Sequence, residues 1–340
     1  MSVHVSKERI LWYTSSSMDS LTLPSEAPCA GDSQAPDLSG IPEFPHQTHL
    51  TFSHKYLVRR LLEEAGVSSS DYALYNLLGW YKTLPPMVSR IGSHLSIAVE
   101  GPDERYLFLA PVGKGPLRPA IDRIMEYMSG TGLPCELRYV PKSIAKEIAS
   151  EFPEADVEAQ RDDFDYLYDR KELAELSGRR FHQKKNFVNR LEEEEKPHVE
   201  IYTPAFGAEV TAFLDDWYKG FPGDDENVRI EAAAIGRMLP QLEKICAIGL
   251  VVRVAGRLAG FTVASPIHRN CWVVTIEKAD RHVKGLYQYL NWALANRLPA
   301  DVTVINRETD LGIEGLRTAK LSYHPIGFEE KFIIRCRKHA

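Results

Sequence analysis

A chain of 340 residues exceeds the roughly 250–300 that one hydrophobic core usually organises, so two cores are expected. With 44% hydrophobic and 26% charged residues the composition is that of a folded globular protein, which excludes disorder over more than particular segments. The formal net charge of −6 excludes a general nucleic-acid binder and leaves any contact with a polyanion local.

In chain order, residues 1–45 are rich in Ser and Pro without a sustained period and read as a mobile leader. Helical spacing begins near 54–65 and again near 72–80. From Met87 the texture becomes strand-like, with two runs hinged at Gly101-Pro102-Asp103. An amphipathic helix at 117–128, a strand at 135–140 and a helix at 141–152 complete a first unit, 46–165. The second unit, 166–340, repeats the order. Helices at 206–219 and 230–245 precede a hairpin around Ala255-Gly256-Arg257, then a strand at 271–279, a helix at 284–297, a strand at 301–305, a further helix and a last strand at 329–336. The reuse of one plan predicts tandem related α/β modules, each a mixed sheet flanked by helices. The longest apolar stretch, 247–264, is broken by Arg253 and Arg257, and the N-terminus lacks a secretory core. A cytoplasmic location with no integral membrane contact is therefore expected. Cys29, Cys135, Cys246, Cys271 and Cys336 are scattered without a C-x-x-C pair, and read as thiols in the fold rather than disulfides or metal ligands.

Three segments invite a chemical reading. "SGRRFHQKKNFVNR" places Arg179, Arg180, His182, Lys184, Lys185, Asn186 and Arg190 around a helix whose apolar face is Phe181, Val188 and Leu191. Such a stripe suits the phosphates and sugars of an RNA end; a solvated helix balanced by Glu192 to Glu195 is the plainer alternative. "ADRHVKGLYQYLNWAL" places Gly285 at a helix start after a strand, as in a pyrophosphate cradle, but Tyr287 stands where a small residue would let a phosphate approach. "NRETDLGIEGLRTAKLSYHP" gathers Asn306, Arg307, Glu308 and Asp310 where a strand ends, a common place for ligand-binding groups. Lys320 and Tyr323 follow on one helical face, and the alternative there is a capping cluster with Asp310 as N-cap and Arg317 in a solvent ion pair. Glu277 sits among Trp272, Val274 and Ile276 on a strand that reads as largely buried.

Together the stretches "DDFDYLYDRKELAELSGRRFHQKKNFVNR", "WVVTIEKADRHVKGLYQYLN" and "INRETDLGIEGLRTAKLSYHP" resemble soluble relatives of the C-terminal catalytic domain of phosphatidylglycerol lysyltransferases, over about Asp71 to Arg335. The resemblance implies two tandem GNAT-like (acyl-CoA N-acyltransferase) domains and an aminoacyltransferase, with aminoacyl-tRNA as co-substrate and no further cofactor. It also implies a small-molecule acceptor bearing an amine, hydroxylamine or hydroxyl, as in antibiotic pathways that use seryl-tRNA. Acyl-CoA-dependent N-acylation, and lysyl or alanyl transfer to a lipid head group, are the enzymatic alternatives; an RNA-binding scaffold is the non-enzymatic one. On the transferase reading Glu277, Glu308, Asp310, Lys320 and Tyr323 are catalytic candidates. Asn306, Arg307, Tyr287 and Arg317 bind substrate, and the basic stripe from Arg179 to Arg190 holds the tRNA. No metal is expected.

Overall fold

The structure, a computed structural model, describes residues 36–101, 104–219 and 226–336. Most of the expected leader, 1–35, and Pro102 and Asp103 of the expected hinge lie outside the described residues. The rest of the leader is part of the fold. Ile41 and Phe44 are buried in the first core, and Phe44 N–H donates to Arg90 O at 2.9 Å. Sparse apolar residues among prolines carry no period, so pattern reading misses a segment that packs through two side chains.

The first sheet begins with the short edge strand Thr48–His49, then Met87–Ile91, His94–Glu100 and Tyr106–Leu109, all antiparallel neighbours. The first expected run is thus two strands, divided at Gly92, whose φ of 60° suits the first corner of a two-residue hairpin. After the helix Arg118–Thr131, Glu136–Pro141 returns parallel to Tyr106–Leu109, and the helix Lys142–Glu151 follows. The second sheet runs in the order Gly327–Glu329, Asp165–Asp169, Val304–Asn306, Cys271–Ala279, Arg257–His268, Ile248–Val254 and His198–Ile201.

The expected last strand is in fact two strands in different sheets. Gly327–Glu329 pairs with Asp165–Asp169 in the second sheet, whereas Lys331–Arg335 inserts between Glu136–Pro141 and Asp156–Ala159 in the first. A cut at 165/166 therefore does not separate the units. Periodicity registers alternation along a strand but not a change of partner at Glu330.

The cores are not divided between units either. One cluster joins first-unit residues such as Tyr75 and Ile97 to Phe261, Val263, Val273 and Ile276 on one face of the second sheet. The other face, with Trp272 and Val274, packs under the helices Arg170–Glu175, His182–Glu194 and Leu286–Arg297. An apolar interface of this kind holds the two units as one body.

Candidate active site

Cys271–Ala279 and Val304–Asn306 are adjacent parallel strands, paired at Cys271↔Val304, Trp272↔Ile305 and Val273↔Asn306. Pairing stops there, while Cys271–Ala279 runs on six residues further. A gap thus opens where ligands bind in parallel sheets, beyond the carboxyl end of a strand. The register against Arg257–His268 slips between Val274 and Ile276, leaving Thr275 as an extra bulged residue. Through that bulge Ile276 turns to the shared core and Glu277 to the opposite face. There its carboxylate meets Arg307 at 3.1 Å across the gap and Asn291 Nδ2 at 2.6 Å. Burial raises the Glu277 pKa against the pull of Arg307.

Beyond Asn306 the chain enters a tight loop in which Glu308, Leu311 and Gly312 have φ of 54°, 53° and 70°. Two non-glycine residues in that region are costly and persist only where surroundings fix them. Asn306, fully buried, accepts from Glu308 N–H at 2.7 Å, and its Nδ2 donates to Ser68 O and Asp165 Oδ2, both at 2.8 Å. Lys320 Nζ donates to Arg307 O and Thr309 O. Asp310, also fully buried, takes a two-pronged contact from Arg317 at 2.8 Å, and further bonds from Tyr166, Arg161 and Gly312 N–H.

These bonds revise several expected roles. Arg317, then Tyr166 and Gly312, hold the Asp310 carboxyl far below the ordinary carboxylate range, so it anchors the loop and has no basicity to offer. It is not the helix cap, because the helix Glu314–Leu321 begins after Ile313. Arg317 divides its guanidinium between Asp310 and Asp162, which removes it from substrate binding. Burial first, then Arg307, pushes Lys320 down to about 8, and its ammonium serves two loop carbonyls rather than an open phosphate site. Tyr323 lies just past the helix, 6% exposed, with Arg307 4.9 Å from its ring centre and its phenol pushed well up by burial, which ill suits a proton donor. Tyr287 is half-buried at the start of Leu286–Arg297, its phenol raised by burial.

Glu308 behaves differently. Its Oε1 accepts from Asn76 Nδ2 at 2.8 Å, Oε2 has no bond among the described residues, and burial pushes the carboxyl up to about 7. Asn76 comes from the first unit, so the site is a seam between units. Beneath it Lys331, from the crossing strand, pairs with Asp165 at 2.7 Å and Asp71 at 2.5 Å, and Asp165 also accepts from Ser70 N–H and Oγ. Sequence reading missed this layer of Asn76, Asp165 and Lys331. Lys331 breaks an apolar strand pattern as Lys320 breaks a helical one, which was the available signal. A cavity of about 270 Å³ lies elsewhere, in the first unit beside Glu64, Val112, Gly113 and Glu147, and holds none of the expected residues.

The basic stripe borders the seam. Phe181, Val188 and Leu191 are buried, as their spacing predicts, while Arg179, Arg180, His182, Lys185, Asn186 and Arg190 are exposed. Arg180 pairs with Glu172 and Arg190 with Glu194. Lys184 turns inward, donating to Ser322 Oγ at 2.7 Å, with Nζ 4.4 Å from the Tyr323 ring centre. Gly285, at φ 91°, lies so close to this helix that a Cβ there would sit 3.1 Å from Phe187 O. On that side the helix start expected as a phosphate cradle is filled by Phe187 of the protein's own chain.

Comparison with known proteins places the fold and the family. A protein of unknown function from Bacteroides thetaiotaomicron matches with a TM-score of 0.82 at 28% identity, over 87% of this chain and 100% of its own. L-PGS from Bacillus licheniformis matches at 0.59 and 16% identity, over 88% and 94%, a likeness of fold. The chain spans about half, 55%, of the length of a curated relative, an uncharacterized protein of Mycoplasmoides gallisepticum 23% identical over 177 residues. Among the described residues no helix is long and apolar enough to cross a membrane. Residues 62–335 match the family described as phosphatidylglycerol lysyltransferase, C-terminal, and the chain belongs to that family, folded as two mixed sheets flanked by helices.

Proposed function

We propose that the protein is an aminoacyltransferase that moves an amino acid from aminoacyl-tRNA to a small-molecule acceptor, with Glu308 as general base. The observation that carries this reading is a carboxylate held in a strained loop, with one oxygen fixed by Asn76 and the other unbonded, and a pKa near 7. An aminoacyl ester is already activated, so positioning, one proton transfer and stabilisation of the oxyanion suffice. Glu308 takes the proton of the attacking group as its bond to the carbonyl carbon forms. The carbon–oxygen bond to the terminal ribose then breaks, and the proton passes to the ribose oxygen. Arg307, oriented by Glu277, has a buried Nη1 without a partner, a donor for the oxyanion. Arg179 and Lys185, which make no ion pair among the described residues, would receive the acceptor arm beside the inward-turned Lys184.

The closeness of Gly285 to Phe187 weighs against an acyl-CoA donor, whose pyrophosphate needs an open helix start. The test is incubation with a mixture of charged tRNAs and cell extract. One charged species should be consumed, and ribonuclease pretreatment should stop the reaction. Full retention of every species, or ribonuclease-insensitive turnover with acyl-CoA, would refute the proposal.

A further inference from the structure

The short helix Leu74–Gly79 reaches the seam through Asn76, whose Nδ2 donates to Ser70 O at 3.0 Å and to Glu308 Oε1 at 2.8 Å. A carbonyl and a carboxylate both call for a donor, so these bonds fix which end of the amide is nitrogen. The remaining atom, Oδ1, is buried and has no partner. Amide bond lengths keep it about 2.3 Å from Nδ2, and so within about 5 Å of a Glu308 oxygen that Nδ2 meets at 2.8 Å. A buried acceptor left unpaired beside a half-bonded carboxylate is a costly arrangement that a ligand with several donors would relieve. Tyr75, the preceding residue, is fully buried with its hydroxyl also unpartnered. Burial first, then the charges of Glu308 and Glu231, keep that phenol protonated.

We propose that Asn76 Oδ1 and the Glu308 carboxylate together receive one primary amine. This deepens the reading of Glu308 above and rests on it. The count of hydrogens separates acceptor classes: an amine brings at least two N–H groups, one for each oxygen, whereas a hydroxyl brings one O–H and leaves Asn76 unpaired. The amine arrives as an ammonium and loses one proton through Glu308 to solvent. Its nitrogen then attacks the ester carbon, a second N–H proton passes to Glu308 and on to the ribose oxygen, and an amide replaces the ester. The same two oxygens would equally suit the α-ammonium of the donor amino acid, so the experiment must separate the two sources.

The full chain is assayed with mixed charged tRNA and either 2-aminoethanol or ethylene glycol, with products read by mass spectrometry. We expect the amide from 2-aminoethanol and at least about tenfold less ester from ethylene glycol, with Asn76→Leu raising KM for the amine by about tenfold or more. A donor acetylated on its α-amine and still transferred to 2-aminoethanol assigns the pair of oxygens to the acceptor. Failure of the acetylated donor together with equal use of ethylene glycol assigns it to the α-ammonium. Equal use of both probes by the acetylated donor, unaffected by Asn76→Leu, overturns the amine site. Should no charged tRNA be consumed, the transferase reading fails and the amine site is judged by binding. Ethylammonium chloride should raise the Tm of the unaltered protein above that in equal sodium chloride, and Asn76→Leu should abolish the rise; no rise in the unaltered protein overturns the site.

Discussion

Replacing Lys331 by methionine keeps the aliphatic stem and removes the charge between two carboxylates. The ammonium is 1% exposed, bonded to Asp165 at 2.7 Å and to Asp71 at 2.5 Å. Each such charge-assisted bond contributes about 1.5–3 kcal/mol. Asp71, 24% exposed, recovers some hydration when released and falls at the low end, whereas Asp165 at 0% does not. The expected loss is about 3–4 kcal/mol, inside the range for breaking a buried pair by removing one partner. Urea unfolding near neutral pH measures it, with an unchanged slope showing that the unfolded reference has not moved. Adding Asp165→Asn to Lys331→Met should return part of the loss, because the amide oxygen can still accept from Ser70. A loss under about 1 kcal/mol for Lys331→Met would mean that the crossing strand is held by its backbone pairing alone, and the argument for a charged tie between units would fail.

Glu308→Gln should lower transfer by about 10²–10⁴-fold without loss of fold, and kcat/KM of the unaltered protein should rise with pH to a plateau above about 7; an unchanged pH profile in the variant would exclude Glu308 as the base. Glu329, pushed by burial to about 7, carries stability that is present below the usual carboxylate value and lost as pH rises through 7. Glu329→Gln should flatten the fall in Tm over that window, and no change in slope would sink the point. Asp310 is the opposite case: its depressed pKa gives stability present above the usual value of 3.8 and lost in acid. Asp310→Asn should cost about 2–3 kcal/mol near neutral pH, and equal acid sensitivity of both proteins in a denaturation series would contradict it. Gly285→Ala forces a side chain into φ 91° against Phe187 O and should cost about 1–3 kcal/mol by thermal unfolding; a neutral result would mean that the basic helix moves aside freely.

The sequence carried much of the architecture because the strands at 248–254 and 271–279 and the helix at 286–297 are long and dense in apolar residues. Asp156–Ala159 and Asp165–Asp169 escaped because their residues are largely charged or aromatic and their burial is decided by partners far along the chain. The loop after Asn306 was legible as a place, since charges crowding a strand end are unusual. The roles within it were not. Local donors already favour Asp310, through Arg317 and Gly312, but the rest of the contrast is remote: Arg161 and Tyr166 act on Asp310 from about 145 residues away, and the single amide that holds Glu308, Asn76, from 232. Thr275 illustrates the same limit: an alternating reading assigns Ile276 and Glu277 to the wrong faces unless the bulge is known.

The return of the chain at Glu330 has a consequence for biosynthesis. The first sheet receives Lys331–Arg335 between two of its own strands, so its hydrogen bonding stays incomplete until residues 331–335, and with them the whole second sheet, have left the ribosome. Folding vectorially, half by half, is closed to such a topology, and ending the chain after Glu330, which removes the crossing strand, should abolish soluble expression of both halves together.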